Sequence, residues 1–147
     1  MVYKMQSAKC FVTGGAGFIG SHLVDRLMAD GNQVTVYDKL SLGTTERIKR
    51  HRNEPGFKLI EGDIVNFDNL KEAMKGHGII WHLAANTDIR LGTQITDVDL
   101  KDCTIGTYNI LEAMRQNSID RILFASSACV YGDVPSEPVN EAFGPIL

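Results

Sequence analysis

The sequence predicts an α/β fold in which a parallel sheet is covered by helices on both faces. Three observations predict it. Short apolar runs alternate with amphipathic helical segments along the chain, a glycine-rich turn joins the first strand to the first helix, and an acid ends the second strand. Alternating strands and helices imply right-handed crossovers and therefore parallel strands. At 147 residues the chain has the length of one domain, which we assign to residues 1–147.

The elements follow one another in a regular order. Apolar runs predict at least five strands, at residues 10–12, 33–37, 57–60, 79–83 and 121–125. Helices are expected at 18–29, at about 45–50, after the cap residue Asn66, and at about 93–116. In the last of these, apolar side chains recur at helical spacing: Ile105, Tyr108, Ile110, Leu111 and Met114. This order predicts a doubly wound sheet, whose ligands bind outside the carboxyl ends of its strands.

The glycine-rich turn has the pattern of a phosphate-binding loop. Gly14, Gly17 and Gly20 are spaced three apart, and residues 15–20 also satisfy G-x-G-x-x-G. The first glycine permits the tight turn, the second lets the backbone approach a pyrophosphate, and the third lets the helix pack on the strand. The helix that begins at Phe18 offers unpaired N–H groups and its positive dipole end to that phosphate. A strand before the turn and an amphipathic helix after it favour a dinucleotide site.

Asp38 ends the second predicted strand, 18 positions after Gly20. A carboxylate at this position accepts hydrogen bonds from the ribose hydroxyls of a dinucleotide. The same charge repels a 2′-phosphate, which favours NAD over NADP, although the basic neighbour Lys39 would partly compensate. The alternative is that Asp38 is only a turn residue.

Composition and charge bear on the partners. A net charge of −3 gives no reason to expect nucleic acid or an anionic membrane, and the basic cluster at 47–52 is interpreted as a solvated helix face. The sequence contains no transmembrane run and no apolar signal core at residues 1–9. Three cysteines without C-x-x-C spacing, and histidines without ligand spacing, predict a cytoplasmic protein without a metal site.

Taken together, these residues resemble the extended short-chain dehydrogenases/reductases of the NAD-dependent nucleotide-sugar epimerase/dehydratase family, UDP-glucose 4-epimerase-like. The resemblance covers essentially the whole chain and rests on six motifs in order: TGGAGFIGSHL, VYDKLSLG, EGDI, HLAA, GTYNILEA and FASSACVYG. It implies a Rossmann-type doubly wound sheet with NAD as the cofactor and a nucleotide sugar, with a UDP-sugar favoured, as the substrate. It also implies a homodimer formed through the long helix at 93–116 and a later helix.

The resemblance implies where the cofactor would lie. The pyrophosphate would contact Gly14, Gly17, Phe18, Ile19 and Gly20. The adenosine would lie against Asp38, Lys39, Ser41, Gly43, Asp63 and Ile64, and the backbone along the rest of the cofactor would be that of Leu83, Ala84 and Ala85. Asp63 has an alternative interpretation, because Gly-Asp pairs also form ordinary turns. The family generally has an Asn just before Gly106, near the nicotinamide ribose, where this chain has KDCT at 101–104.

By the same resemblance, Ser127 is the catalytic serine that would hydrogen-bond the sugar hydroxyl to be oxidised. The other interpretation is a serine that caps or ends a strand. The family's base is a Tyr-x-x-x-Lys pair, in which the lysine lowers the pKa of the tyrosine. No tyrosine of this chain has a lysine four positions later. We therefore expect the cofactor half of a larger enzyme, without the C-terminal substrate portion, inactive and prone to self-association on its own.

The activity that these features predict is a UDP-sugar 4-epimerase, which oxidises the sugar transiently at C4 and returns the hydride. The family's 4,6-dehydratases carry an acid directly after the catalytic serine or threonine. Here Ala128 and Cys129 follow Ser127, which disfavours elimination of water. A reductase of the same family stays open. A non-catalytic NAD-binding module is the alternative from another class, if the chain ends at Leu147.

Overall fold

The computed structural model describes residues 7–88, 90–132, 138–140 and 143. Within these residues, five strands form one parallel sheet in the order β3-β2-β1-β4-β5. The strands are β1 (Lys9–Thr13), β2 (Gln33–Asp38), β3 (Phe57–Glu61), β4 (Ile79–His82) and β5 (Ile122–Phe124). Each begins and ends within one residue of its predicted bounds. The predicted sheet is therefore confirmed.

In the described parts of the chain, four α-helices connect or follow the strands: α1 (Phe18–Ala29), α2 (Phe67–Met74), α3 (Leu91–Gln94) and α4 (Gly106–Gln116). The bounds of α1 are those predicted. The predicted cap of α2 is also confirmed, since the Asn66 side chain accepts a hydrogen bond from the N–H of Asn69 at 3.3 Å. This bond satisfies one of the N–H groups that a helix start leaves unpaired.

Two predicted helices are wrong in form. The segment at 45–50 folds as two short 3₁₀ turns, Thr45–Arg47 and Lys49–His51, because Ile48 is its only large apolar anchor and one turn of helix is too costly to nucleate alone. The predicted helix at 93–116 is interrupted between α3 and a π-helical turn at Leu100–Ile105. The interruption contains the β-branched residues of the run ITDVD at 95–99, which are weak helix formers.

Two apolar clusters cover the two faces of the sheet. Because side chains alternate along a strand, Phe11 of β1 enters one cluster while Cys10 and Val12 enter the other. The first cluster adds side chains of β2, β4, α2 and α4: Tyr37, Ile80, Leu70, Met74, Ile110 and Ala113. The second adds side chains of β2, α1 and the 3₁₀ region: Val34, Val36, Val24, Leu27 and Ile48. Helices thus cover both faces, as a doubly wound sheet requires.

The sheet order places the switch point between β1 and β4, because the chain leaves these neighbouring strands toward opposite faces. Ligands of such sheets bind in the crevice at this point, outside the carboxyl ends of the strands. All five segments that the sequence proposes for the site lie at or after the carboxyl ends of strands: 14–20, 38–43, 63–64, 83–85 and 127. Among the described residues, no helix has the length and apolarity needed to cross a membrane.

Candidate cofactor site

The glycine loop begins with a turn that only a residue without a Cβ makes easily. Gly14 has a φ of +70°, and a Cβ there would lie 2.8 Å from the backbone nitrogen of Ala84. Its N–H donates to the Tyr37 carbonyl at 3.0 Å, and its own carbonyl accepts from the N–H of Gly17 at 3.1 Å. Gly14 therefore holds the loop against β2 and against the segment that follows β4.

Gly20 sets the distance between the loop and α1. A Cβ on Gly20 would lie 2.1 Å from the Gly14 carbonyl oxygen and 2.8 Å from the Cα of Gly15. Both atoms belong to the backbone and cannot rotate away. This geometry agrees with the close helix packing that the sequence assigned to the third glycine.

The amino end of α1 is open. Its cap position is Gly17, and no side chain caps the helix. The first intrahelical bond runs from the Ser21 N–H to the Gly17 carbonyl at 3.0 Å, so the N–H groups of Phe18, Ile19 and Gly20 have no acceptor within the helix. The side chains of Phe18 and Ile19 are 71% and 69% exposed. An uncapped helix start beside a glycine loop is suited to a phosphate.

Asp38 is buried, at 8% exposure, and its carboxylate is fixed by two backbone donors. One oxygen accepts from the N–H of Ala16 at 3.0 Å, and the other accepts from the N–H of Leu40 at 2.8 Å. The Leu40 contact is what a turn residue would make, whereas the Ala16 contact joins β2 to the glycine loop. Each oxygen keeps a lone pair for another donor, such as a hydroxyl. A Cβ at Gly43 would lie 3.0 Å from this carboxylate, so the neighbouring loop is packed against it.

Lys39 makes a contact that the sequence did not predict. Its Nζ lies 2.6 Å from Oδ2 of Asp102, which belongs to the π-helical turn 63 residues later. The Lys39 side chain is 38% exposed and that of Asp102 is 13% exposed. The Lys39 amine, which was expected beside the ribose, is therefore bound to the Asp102 carboxylate. Ser41, another residue expected near the adenosine, is exposed.

A turn hydrogen bond and contacts with α4 fix the position of Asp63 and Ile64. Asp63 accepts from the N–H of Val65 at 2.9 Å through its side chain, which is the turn contact of the alternative interpretation. The buried Ile64 offers its carbonyl to the Asn109 amide at 3.0 Å. A Cβ on Gly106 would lie 2.4 Å from Cδ1 of Ile64, so α4 begins directly against this segment. The role of Asn109 was missed, since nothing near it in sequence marks this long-range bond.

A row of hydrogen-bonded, mostly buried polar side chains connects the two strands at the switch point to α4. Thr13 Oγ1 accepts from the N–H of Ala84 at 3.2 Å and lies 2.7 Å from Nδ1 of His82. His82 Nε2 lies 3.0 Å from Oγ1 of Thr107 on α4. Burial lowers the pKa of His82 to about 4, so the ring is neutral at pH 7. A neutral ring that accepts from Thr13 and donates to Thr107 satisfies every partner and joins β1, β4 and α4.

Ser127 is exposed and follows β5 at the same edge of the sheet as the glycine loop. Its Oγ accepts from the N–H of Cys129 at 3.2 Å and caps the 3₁₀ turn Ala128–Tyr131. This contact fits the capping interpretation of the serine. The hydroxyl hydrogen is still available to a ligand, because accepting one bond does not use it. Across the described parts of the chain, no cluster of three or more His, Cys, Asp or Glu side chains is placed to hold a metal ion.

Comparisons with known proteins agree with this geometry. The sequence matches the family model of the NAD dependent epimerase/dehydratase family over residues 10–146. It is 37% identical over 136 residues to a UDP-glucose 4-epimerase of Mycolicibacterium smegmatis, covering 90% of this chain and 43% of that protein. It is 36% identical over 141 residues to UDP-glucuronic acid decarboxylase 4 of Arabidopsis thaliana, covering 95% of this chain and 30% of that protein.

Solved structures that resemble this chain include members of the same kinds of enzyme. The UDP-glucose 4-epimerase of Thermus thermophilus, in complex with NAD, superposes with a TM-score of 0.80 at 32% identity, covering 94% of this chain and 44% of that one. A DesIV double mutant, a dTDP-glucose 4,6-dehydratase from Streptomyces venezuelae with NAD bound, gives a TM-score of 0.84 at 28% identity, covering 93% and 45%. The chain thus spans less than half the length of these relatives. It belongs to the NAD dependent epimerase/dehydratase family, whose cofactor is NAD.

Proposed function

We propose that this chain is the NAD-binding portion of a nucleotide-sugar epimerase that acts on a UDP-sugar at C4. One observation carries the cofactor part of this proposal: the buried Asp38 carboxylate accepts the Ala16 N–H and so ties β2 to the glycine loop. The substrate part follows relatives that are named UDP-glucose 4-epimerases.

The residues present fit a dinucleotide. Gly14 and Gly20 leave no room for a Cβ, Gly17 leaves the amino end of α1 uncapped, and two backbone N–H groups fix the Asp38 carboxylate. The N–H groups at 18–20 would hold the pyrophosphate, Asp38 the adenosine ribose, and Asp63 and Ile64 the adenine edge. When bound, NAD supplies a hydride acceptor that can return the hydride to the sugar.

Ser127 would donate its hydroxyl hydrogen to the oxygen at C4 of the sugar and orient that carbinol. Its exposure and its position beyond β5 leave it accessible from the crevice side of the sheet. The proton of the carbinol needs a base with a suitable pKa. Since this sequence lacks a Tyr-x-x-x-Lys pair, we propose that the base is not among residues 1–147.

Related activities have weaker support from the site. The relatives include decarboxylases and a 4,6-dehydratase. Elimination of water requires an acid for the leaving hydroxyl, and Ala128 and Cys129 next to Ser127 do not provide one. A reductase would need no such acid. A non-catalytic NAD-binding module is the second candidate if the chain ends at Leu147, because residues 1–147 combine the proposed dinucleotide site with no Tyr-x-x-x-Lys pair.

A homodimer and a cytoplasmic location complete the proposal. On α4, Tyr108 and Leu111 are 64% and 50% exposed, which is an apolar surface on the helix that the family resemblance assigns to dimerisation. The cysteines at 10, 103 and 129 are all free thiols, which is typical of a reducing compartment.

The experiment that separates the epimerase from the module is to read the source DNA past the codon for Leu147. A continuous reading frame that soon encodes Tyr-x-x-x-Lys would support the epimerase. The protein encoded by that frame should then convert UDP-glucose to UDP-galactose without consuming NAD, whereas a reductase would change the amount of NADH. A stop codon at this point would favour the module, which should bind NAD and show no turnover.

A further inference from the structure

The adenosine end of the proposed site contains one ion pair that the proposed function does not use. Lys39 directly follows the ribose-binding Asp38, and its Nζ lies 2.6 Å from Oδ2 of Asp102. Asp102 is mostly buried, at 13% exposure, so this pair is less screened by solvent than a surface pair. It joins the end of β2 to the π-helical turn before α4.

The charges around this end have opposite effects on a 2′-phosphate, the group that distinguishes NADP from NAD. Such a phosphate carries about two negative charges near neutral pH. The fixed Asp38 carboxylate would repel it, whereas an unpaired Lys39 ammonium would attract it. Arg47 is a second cation nearby, with a guanidinium nitrogen 3.4 Å from the Ala16 carbonyl and 3.5 Å from the Leu42 carbonyl.

We propose that Asp102 is a specificity-determining residue that keeps the site selective for NAD over NADP by pairing with Lys39. The ion pair offsets the charge of Lys39 and holds its amine toward the π-helical turn. The repulsion from Asp38 is then uncompensated. The inference rests on the proposed dinucleotide site. It assigns a role to Asp102, a residue that is not part of the glycine-rich turn and Asp38 pattern that predicted the site.

The test is to titrate NAD and NADP separately into the 147-residue chain and into its Asp102→Asn variant. This change keeps the side-chain shape and removes the charge. We expect the affinity for NADP to rise about tenfold, the size of one hydrogen bond to a charged group, and the affinity for NAD to change less than about threefold. In the double variant Asp102→Asn with Lys39→Met, the gain for NADP should disappear.

A matched control is Asp97→Asn. Asp97 pairs with Lys101 at 2.6 Å in the same region, so this variant also removes one carboxylate charge from an ion pair but does not free Lys39. It should leave the ratio of the two affinities unchanged. An unchanged ratio in Asp102→Asn would overturn the proposal. So would a gain for NADP that persists in the double variant, since the gain would then not come from a freed Lys39.

Asp102→Ser repeats the test where Asp102→Asn does not fold, because it removes the same charge with a smaller side chain. The affinity for NADP should again rise about tenfold, and a folded variant with an unchanged ratio of the two affinities would contradict the role of Asp102. Failure of the proposed function gives a different result. The folded wild-type chain, checked by circular dichroism, would then bind neither dinucleotide.

Discussion

At the scale of single residues, the site depends on positions where a side chain is either excluded or held by backbone donors. The glycine spacing predicted the positions that exclude a side chain, because the glycines that meet these steric requirements lie close together in sequence. The position of Asp38 was predicted in the same way. Its bond to Ala16 and the Lys39 contact with Asp102 were not, since they join residues 22 and 63 positions apart.

Gly20→Ala should be far more costly than an alanine at an open glycine. Its Cβ would lie 2.1 Å from a backbone oxygen, so we expect a loss of about 3 kcal/mol in the free energy of unfolding together with loss of NAD binding. Gly31→Ala is the control, because no atom lies within 4 Å of its Cβ position and only its φ of +81° is unfavourable. Urea unfolding should give a loss of about 1 kcal/mol there. Equal losses at both positions would contradict the packing argument.

At the scale of elements, the strands could be predicted because each is a local apolar run, whereas the placement of α4 could not. The start of α4 is fixed by long-range contacts, in which Gly106 meets Ile64 and Thr107 meets His82. The hydrogen bonds of His82 had only a weak signal in the sequence: the polar residues Thr13 and His82 at the ends of the apolar strands β1 and β4. These contacts decide how α4 lies against the crevice.

The buried His82 should make stability depend on pH. Its pKa is lowered from 6.5 to about 4 by burial, so between these values the unfolded chain binds a proton that the folded chain excludes. The free energy of unfolding should therefore rise from pH 4 to pH 6.5 and level off above, with His82 contributing about 3 kcal/mol. Burial also lowers the pKa of His77 and adds to the same slope.

Urea unfolding at pH 4.5, 5.5 and 7.0 measures this slope. The slope should be clearly shallower in His82→Gln than in the wild type, whatever the loss of absolute stability. His22→Gln is the control, since His22 is exposed on α1. A slope that is unchanged in His82→Gln would show that this ring is not the group responsible.

At the scale of the whole molecule, the sheet and its two clusters followed from the alternation of elements, but the exposed apolar surfaces did not. The apolar side chains that recur at helical spacing in 93–116 fall into two groups: Tyr108 and Leu111 are exposed, whereas Ile110 and Met114 are buried. Leu123 and Phe124 of β5 are also exposed. The sequence pattern alone does not distinguish the exposed apolar side chains from the buried ones.

The proposed homodimer can be tested on these surfaces by sedimentation equilibrium. Leu111→Glu places a charge on the exposed face of α4 and should weaken self-association at least about tenfold, because a buried unpaired charge costs several kcal/mol. Leu123→Glu makes the same change on β5, with a similar starting exposure. If only Leu123→Glu weakens association, the proposed surface is wrong.

The central claim, that the crevice between β1 and β4 binds NAD, is tested most directly by calorimetric titration of NAD into the wild-type chain and into Asp38→Asn. We predict one molecule of NAD per wild-type chain. We also predict an affinity at least about tenfold lower in Asp38→Asn, which loses a charged hydrogen bond to the ribose. A wild-type chain that unfolds cooperatively but binds no NAD, or a folded Asp38→Asn variant that binds NAD equally well, would contradict the account.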